Sequence, residues 1–343
     1  MTVLVTGAAG LVGTHVLAAL RARGERPRAL VREHSRAAVA ALGADVVVGD
    51  VTDVTAWERA AQGVRAIVHA AALVVTRATY EEFTRVNVGG TRLAIAAARR
   101  ERARLIHVSS VAVYGRTDVY DAGAGGATET YPFHPLAGSD YYARSKRAAE
   151  QLVEQEAARE DGLTAVAMRP NVIYGERDRL FTSRVIATVR RRILPQIGSG
   201  SNHLSCVYAG NVASAILAAI DGPPRTGFRA YNVTADAPPR LTQREFFAAF
   251  GSYLGVTPVF VRVPVVVARA GAALWSLFSR LLRPGRYAGV GASAIAFLVG
   301  ENPYSIDRIR DELGWTPPFD TRSAIERAVS QNKSPGDAWP GLE

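Results

Sequence analysis

Short apolar runs alternate with amphipathic segments through the first half of the chain. The apolar runs cover residues 3–6, 28–31, 46–48, 66–69, 105–108 and 164–168. The segments between them carry helix formers with apolar positions at a 3.6-residue period, over residues 12–23, 56–62, 91–100 and 143–159. Strands that alternate with helices in this way predict an α/β fold with a Rossmann-type, doubly wound parallel sheet.

The alternation of strand and helix patterns becomes less regular after Pro170. Pro and Gly become frequent there, and strand patterns occur only at residues 205–208 and 228–233. We predict a Rossmann domain over residues 1–170, completed by about residues 206–225. A smaller C-terminal substrate-binding α/β subdomain is then expected from residues 171–205 and 226–330. The polar residues 331–343 are predicted to form a flexible tail.

Residues 261–300 form the most apolar segment of the chain. Arginines interrupt it before any stretch reaches the roughly 20 residues that a bilayer span requires, so we predict no transmembrane segment. Three interpretations remain open for it: core packing of the subdomain, the lining of an apolar substrate pocket, and peripheral contact with a membrane surface.

The composition, 48% hydrophobic and 21% charged, is that of an ordinary globular protein. Cys206 is the one cysteine, which excludes an internal disulfide and a thiolate metal cluster and is typical of a reducing compartment. The first residues show no basic leader before a long apolar run. We therefore expect a cytoplasmic protein with no bound metal.

The formal net charge is +10, and nearly all cations are arginines scattered through predicted helices. The densest run, residues 190–192, has no interleaved aromatic residues, unlike a groove for single-stranded nucleic acid. We expect solvated helix faces and no nucleic-acid partner. The positive charge instead favours anionic ligands, including a phosphorylated cofactor.

A glycine-rich turn follows the first apolar run and opens the first predicted helix. Gly7, Gly10 and Gly13 allow the backbone to turn tightly and to approach a pyrophosphate at the positive helix N-terminus. The cofactor contacts expected in this turn are Gly7, Ala9, Gly10, Leu11, Val12 and Gly13.

The end of the second strand bears on the choice between NADP and NAD. Arg32 ends this strand and Arg36 follows four residues later, and an arginine at this place can pair with the 2′-phosphate of NADP. Glu33 could instead accept a hydrogen bond from a ribose hydroxyl. We expect NADP(H), with NAD(H) as the alternative.

Further cofactor contacts are expected at the ends of later strands. Asp50, with Val51 beside it, stands where a carboxylate would meet the adenine amino group, although a turn or helix-capping acid fits the same place. Small residues allow close approach of a ligand after the fourth strand, at Ala70, Ala71 and Ala72. Asn87 is expected to orient a backbone turn near the cofactor in preference to relaying protons.

Tyr142 and Lys146 stand four residues apart at the start of a predicted helix, so both side chains project from one face. An ammonium group near a phenol stabilises the phenolate, which predicts a lowered pKa for Tyr142 and proton exchange near neutral pH. Tyr141 lies five residues from Lys146, off that face. We predict that Tyr142 and Lys146 are catalytic and contact the cofactor.

Two serines end the fifth strand, at the edge where wound sheets bind ligands. Ser110 is predicted to be catalytic, because its hydroxyl could hydrogen-bond a substrate carbonyl or alkoxide oxygen. Ser109 points the other way along the strand and is expected to serve the backbone or the cofactor.

Taken in order, these motifs resemble those of the extended short-chain dehydrogenases/reductases. The resemblance rests on Thr6-Gly7-x-x-Gly10-x-x-Gly13, His69-Ala70-Ala71, Asn87-Val88-x-Gly90-Thr91, Ser109-Ser110-x-x-Val113-Tyr114-Gly115, Tyr142-x-x-x-Lys146, Arg169-Pro170 and Leu313-Gly314-Trp315-x-Pro317. It implies a bound NAD(P), Tyr142 as acid/base, Lys146 on the ribose, Ser110 on the substrate oxygen, and Pro170 and Val172 at the cofactor. It also implies a homodimer.

The branch within this superfamily is indicated by departures from the nucleotide-sugar pattern. Val172 and Leu204 stand where epimerases and dehydratases usually carry Asn and Arg, while residues 207–213 and 302–307 resemble the 3β-hydroxysteroid dehydrogenase-like branch. We predict a ketone reductase or secondary alcohol dehydrogenase acting on a bulky, largely apolar substrate. A nucleotide-sugar epimerase or dehydratase is the alternative, and a non-catalytic NADP-sensing regulator is a third hypothesis.

Overall fold

The computed structural model describes residues 2–74, 78–115, 126–159, 162–223, 226–282 and 290–331. The strands are β1 Thr2–Thr6, β2 Arg28–Val31, β3 Asp45–Val48, β4 Val64–His69, β5 Arg104–Val108, β6 Thr164–Pro170, β7 Val172–Tyr174, β8 Ile193–Ile197, β9 Cys206–Tyr208, β10 Gly227–Val233 and β11 Val259–Val263. The helices are α1 Leu11–Ala22, α2 Arg36–Ala40, α3 Val54–Ala61, α4 Tyr80–Phe83, α5 Gly90–Glu101, α6 Tyr141–Ala157, α7 Thr182–Arg190, α8 Ala209–Asp221, α9 Gln243–Leu254, α10 Val265–Leu282, α11 Val290–Val299, α12 Asp307–Leu313 and α13 Thr321–Gln331.

Seven parallel strands form the main sheet, in the order β10-β6-β5-β4-β1-β2-β3. The strand order reverses between β1 and β4, which creates the crevice at the carboxyl edge where wound sheets bind ligands. Helices cover both faces of the sheet, so the strands are buried on both sides and read as continuous apolar runs. The predicted doubly wound α/β fold is confirmed.

The two faces of the sheet carry separate hydrophobic cores. Helices α1 and α8 pack on one face, where Val16 and Leu20 of α1 meet Ile216 of α8. Helices α3, α5 and α6 cover the other face, with Trp57 and Val153 in its core. Burial of these apolar faces stabilises the layers, at roughly 25 cal/mol per Å² of apolar surface.

Strand β10 corrects the predicted domain boundary. We expected residues 226–330 in the smaller subdomain, but β10 pairs with β6 along its whole length, from Gly227 opposite Thr164 to Val233 opposite Pro170. The pattern after Pro170 concealed this pairing, because β7, α7, β8, β9 and α8 intervene between the two partners. Local periodicity predicts that a segment is a strand, but it does not predict which strand pairs with it across such an insertion.

The remaining elements form a second unit that begins where β6 ends. Two short parallel sheets, β7 with β9 and β8 with β11, accompany α7, α9 and α13 around a core that includes Tyr174, Phe246 and Phe250. Among the described residues, no helix has the length and apolar character needed to cross a membrane. The predicted flexible tail lies outside the described residues from 332 onwards, as do residues 283–289 of the apolar segment.

Candidate active site

Ser110, Tyr142 and Lys146 lie at the carboxyl edge of the main sheet, where the Tyr142 hydroxyl meets Ser110 and the Lys146 ammonium meets the end of β5. Ser110 follows β5 and caps a 3-10 turn, where its Oγ accepts from the Ala112 amide at 3.2 Å. Tyr142 and Lys146 lie in the first two turns of α6, whose N-terminus is capped by Asp140. The cap begins the helix at Tyr141 and thereby places residues 142 and 146 on its inner face.

Tyr142 is partly buried and forms a hydrogen bond with the Ser110 hydroxyl. Burial raises the pKa of Tyr142, and the nearby Asp140 carboxylate raises it further, while the bond to Ser110 opposes the shift. The predicted lowering of the Tyr142 pKa by Lys146 is therefore wrong. The cause is desolvation, which disfavours the phenolate.

Lys146 is buried, with 4% of its surface exposed, and its Nζ donates to the Val108 carbonyl at 2.5 Å. Burial lowers the pKa of Lys146 to about 8, and the Glu150 carboxylate one turn further along α6 opposes this shift. The ammonium group is thus directed towards the last residue of β5, two positions before Ser110 in the chain.

Glu150 anchors a buried polar network that the sequence did not lead us to expect. Its carboxylate receives the Arg169 guanidinium, with Nη2 to Oε1 at 2.5 Å, and the Ser109 hydroxyl. Arg169 also donates to the Tyr114 hydroxyl at 2.7 Å. The four-residue spacing could have predicted that Glu150 lies near Lys146, because residues 142, 146 and 150 share one helix face. The predicted cofactor contact of Ser109 remains a prediction, since its hydroxyl is directed to Glu150.

Two stacked histidines lie behind Lys146, with ring centroids of His69 and His107 separated by 5.9 Å. The Nδ1 of His69 is 2.9 Å from the Thr6 hydroxyl, and both rings are buried. Burial, and then the Lys146 charge, lower the pKa of His69 to about 3 and lower the pKa of His107 well below its usual range. Both rings are therefore neutral, and Lys146 supplies the positive charge that acts on them.

Tyr141, the rival of Tyr142, projects away from this cluster. Its ring packs against Tyr80 at 5.6 Å and against Phe83 at 6.4 Å between centroids. The structure therefore supports Tyr142 as the member of the pair that meets Ser110.

The glycine turn has the close backbone approach that a dinucleotide cofactor requires. Gly7 adopts φ +64°, and a Cβ there would lie 2.7 Å from the Ala70 carbonyl carbon. A Cβ on Gly13 would lie 2.2 Å from the Gly7 oxygen. Helix α1 begins at Leu11 with no side-chain cap and no acidic residue in its first turn. Its first N–H groups and positive dipole therefore fit a pyrophosphate.

The other predicted cofactor contacts surround this turn. Ala71 N–H donates to the Thr6 hydroxyl at 3.3 Å, and Ala70, Ala71 and Ala72 are all half-buried. Asn87 bonds both backbone polar groups of Leu73, with Oδ1 accepting at 2.7 Å and Nδ2 donating at 3.1 Å. Such contacts orient the backbone turn that follows β4.

Asp50 makes the contacts of a turn acid. Its Oδ1 accepts from the Thr52 amide at 3.0 Å and from the Thr52 hydroxyl at 2.8 Å, and the Val51 carbonyl accepts from the Trp57 indole. These bonds use one carboxylate oxygen, and contact of Asp50 or Val51 with an adenine ring stays a prediction.

Arg32 directly follows β2 and is exposed. Within the described ranges it forms no ion pair, whereas Arg36 lies 3.7 Å from the Glu33 carboxylate. The guanidinium of Arg32 is thus available to an anionic ligand at the end of this strand.

The residues that distinguish nucleotide-sugar enzymes are apolar here. Leu204 is buried in the core of the second unit, and Val172 opens β7 with 37% of its surface exposed. Asn171 lies one position before Val172, between β6 and β7, and its Nδ2 donates to Ser205 at 3.2 Å and to the Thr234 carbonyl at 2.9 Å. Pro170 ends β6 at the same edge.

A further polar contact joins α1, the helix that follows the glycine turn, to the second unit. This contact was not predicted from the sequence. The Glu176 carboxylate lies 3.0 Å from His15 Nε2 of α1 and accepts from the Tyr208 hydroxyl at 2.8 Å. His15 lies two residues after Gly13, in the turn of α1 that follows the glycine turn. This position is the feature of the sequence that could have singled out His15.

Comparison with known proteins places this geometry in a family. The NAD dependent epimerase/dehydratase family model matches residues 3–234. A ketoreductase of Stigmatella aurantiaca for 4-hydroxy-2-methyl-3-oxo-4-farnesyl-3,4-dihydroquinoline-1-oxide is 35% identical over 321 residues, covering 92% of each chain. The 2-alkyl-3-oxoalkanoate reductase of Stenotrophomonas maltophilia is 28% identical over 335 residues, 95% of this chain and 98% of the relative.

Among solved structures, gox2253 superposes with a TM-score of 0.76 at 27% identity, covering 98% of both chains. The family match extends over more than half of this chain and includes the glycine turn, Ser110, Tyr142 and Lys146. The chain therefore belongs to the NAD dependent epimerase/dehydratase family, and it is an NAD-dependent enzyme of the extended short-chain dehydrogenase/reductase type.

Proposed function

We propose that this enzyme reduces a ketone, or oxidises the corresponding secondary alcohol, on a bulky and largely apolar substrate, with a preference for NADP(H). The observation that carries the proposal is the hydrogen bond between Tyr142 and Ser110, with Lys146 one turn further along the same face of α6. Two hydroxyl groups that converge on one point can bind a single carbonyl oxygen.

The chain's own residues handle the oxygen and the proton. When bound, the nicotinamide cofactor supplies or accepts the hydride. Ser110 donates a hydrogen bond to the substrate oxygen and holds it within reach of Tyr142. The Tyr142 Oη then gives its proton to that oxygen during reduction and takes it back during oxidation. The high pKa of Tyr142 keeps the hydroxyl protonated, as reduction requires, and Lys146, one turn further along α6, supplies positive charge on the same helix face.

An apolar substrate is supported by two independent observations. Leu204 and Val172 provide no amide or guanidinium group to hold phosphates. The two relatives reported above carry names that describe ketones with farnesyl or alkyl groups. Apolar substituents favour pockets lined by hydrocarbon side chains.

The preference for NADP(H) rests on Arg32. We expect Arg32→Gln to weaken NADPH binding by about ten- to a hundredfold, because a charge-assisted contact to the 2′-phosphate is lost, and to leave NADH binding almost unchanged. Arg36→Gln is the matched control, since Arg36 already lies near Glu33. Equal loss of NADH and NADPH affinity in the Arg32 variant would refute the preference.

The direct test of the reaction follows NADPH consumption with bulky apolar ketones and product formation with nucleotide-sugars. We expect net oxidation of NADPH with the ketones and no conversion of the sugars. Tyr142→Phe should lower turnover by at least about 100-fold and spare cofactor affinity, since only the proton donor is removed. Tyr141→Phe is its control.

A nucleotide-sugar epimerase or dehydratase is the second candidate, favoured by the description of the matching family. The same residues would then oxidise the sugar transiently, and sugar conversion without net cofactor consumption would establish it. Tight NADP(H) binding with no turnover on either panel would instead favour a cofactor-sensing regulator.

A further inference from the structure

The two-stranded sheet of β8 and β11 exposes an apolar face. Val259 pairs with Ile193 and Val261 with Pro195, and side chains at these alternating positions project to the same side. The exposed fractions are 64% for Ile193, 58% for Val259 and 50% for Val261, whereas Leu194 on the opposite side is buried. The solvent side of a two-layer sheet is normally polar, so this face departs from the pattern of a free surface.

Helix α10 continues this exposed surface directly after β11. Val266 is 77% exposed, Leu274 is 68% exposed, and Ala270 lies between them at the spacing of one helix face. Val267 is exposed as well. We refer to the following residues together as the apolar face: Ile193, Pro195, Val259, Val261, Val266, Val267, Ala270 and Leu274.

The chain around the apolar face contains no acidic residue. Residues 179–220 and 246–300 lack Asp and Glu entirely, yet they carry ten arginines. These arginines are Arg179, Arg184, Arg190, Arg191, Arg192, Arg262, Arg269, Arg280, Arg283 and Arg286. Several exposed arginines elsewhere pair with carboxylates, as Arg23 does with Asp221 and Arg26 with Asp45 at 2.8 Å.

Six of these arginines are exposed and form no ion pair with the residues that the structure describes: Arg184, Arg190, Arg191, Arg192, Arg262 and Arg269. Arg190 ends α7, and Arg191 and Arg192 connect it directly to β8, while Arg269 borders the stripe of Val266 and Leu274 on α10. Apolar side chains rimmed by unpaired cations complement a surface that offers hydrocarbon beneath negative charge.

We propose that the apolar face docks on an anionic lipid bilayer, with the start of α10 and the outer side of the β8–β11 sheet at the interface. Insertion of the valines and leucine would remove their surface from water, and the arginines would lie among the acidic headgroups. A second copy of this chain is a poorer occupant, because a twofold contact would set these arginines against each other with no carboxylate between them. The benefit of taking an apolar substrate from the bilayer rests on the proposed function, whereas the docking itself does not.

The test is flotation of the purified full-length protein with vesicles of phosphatidylcholine alone or mixed with phosphatidylglycerol. We expect binding to the anionic vesicles only, with loss at high salt, since the Debye length falls from about 10 Å at 0.1 M to about 3 Å at 1 M. Binding requires no turnover, so failure of docking and failure of the proposed reaction are read separately.

Variants identify the docking face. Val266→Glu should weaken binding to anionic vesicles by at least about tenfold, and Val54→Glu, at an exposed valine that begins α3, should leave it unchanged. Replacing Arg190, Arg191 and Arg192 together by Gln should weaken it by on the order of a hundredfold, from about fivefold per arginine. The control with the same loss of charge replaces three exposed arginines remote in sequence by Gln: Arg85, Arg92 and Arg322.

Three outcomes would overturn the proposal. The first is equal binding to neutral and anionic vesicles, and the second is equal loss in the two arginine triples. The third is a concentration-dependent dimer in sedimentation velocity that Val266→Glu converts to a monomer, with no vesicle binding by the parent protein. Thermal melting and NADPH titration of each variant establish that it is folded.

Discussion

Lys146 is a buried cation of this active site, and burying its ammonium group costs free energy. A buried ammonium loses its hydration, and its hydrogen bond to the Val108 carbonyl and its proximity to Glu150 restore only part of that loss. The pKa of Lys146 is lowered because these contacts do not fully replace the lost hydration of the ammonium group. Such groups are concentrated at functional sites, and the role proposed above for Lys146 is to supply positive charge one turn along α6 from Tyr142.

Replacing Lys146 by Met should separate stability from activity. We expect turnover to fall by at least about 100-fold, because the positive charge beside Tyr142 is lost. Thermal stability at pH 7 should be equal or higher, since the desolvation cost of the ammonium, on the order of 3 kcal/mol from the shift of the Lys146 pKa from 10.5 to about 8, is removed. Calorimetric melting and NADPH oxidation measure the two properties.

The pH dependence of the same variant has a definite sign. Between about pH 8 and pH 10.5 the unfolded state binds the Lys146 proton and the folded state does not, so the stability of the parent protein rises with pH in this window. The advantage of Lys146→Met should therefore shrink from pH 7 to pH 10. An advantage that stays constant over this range would contradict the depressed pKa of Lys146.

Among the elements, α6 carries the proton-handling residues and also fixes them to the sheet. Tyr142, Lys146 and Glu150 follow each other at one-turn intervals on the face that meets β5 and β6. The ion pair between Glu150 and Arg169 of β6 is buried, with 2% and 5% of the two side chains exposed. Helix α6 therefore holds its register against β6 through a charged contact in addition to apolar packing.

A double-mutant cycle on this ion pair tests that role. Glu150→Gln should lower the free energy of unfolding by about 3–5 kcal/mol, because Arg169 is left buried without a counter-charge. Arg169→Met should cost a similar amount, and the double variant should cost less than the sum of the two. Denaturant unfolding measures all three variants. The exposed pair of Arg26 and Asp45 is the control, and Arg26→Gln should cost less than about 1 kcal/mol.

Elements with a strong local pattern were predictable from the sequence, and those defined by partners were not. The glycine turn and the α6 face follow from residue spacing, because backbone geometry fixes which side chains share a face. The network of Glu150 with Arg169 depends on how α6 lies on β6, and the place of β10 depends on a partner across an insertion. Likewise, the raised pKa of Tyr142 reflects burial, which spacing alone does not reveal.

At the scale of the whole molecule, the cofactor domain and the second unit must keep their relative position for hydride transfer. Glu176, next to β7, connects them by accepting from Tyr208 and by contacting His15 of α1. Burial alone would raise the pKa of Glu176, but the hydrogen bond from His15 and the other bonds outweigh it, and the pKa is lowered below 4.5. The ionised carboxylate is thus the form that holds the two parts together.

Glu176→Gln should loosen this connection in a pH-dependent way. Because the folded-state pKa is the lower one, the stabilisation by Glu176 is present above about pH 4.5 and is lost as the pH falls through the folded-state pKa. We expect the variant to lose about 1–3 kcal/mol at pH 7 and less towards pH 4, measured by urea unfolding at both pH values. Glu301→Gln is the matched control, since Glu301 also contacts a histidine, His203, but at an exposed site. A loss that is the same at pH 4 and pH 7 would show that shape, and not charge, is what Glu176 contributes.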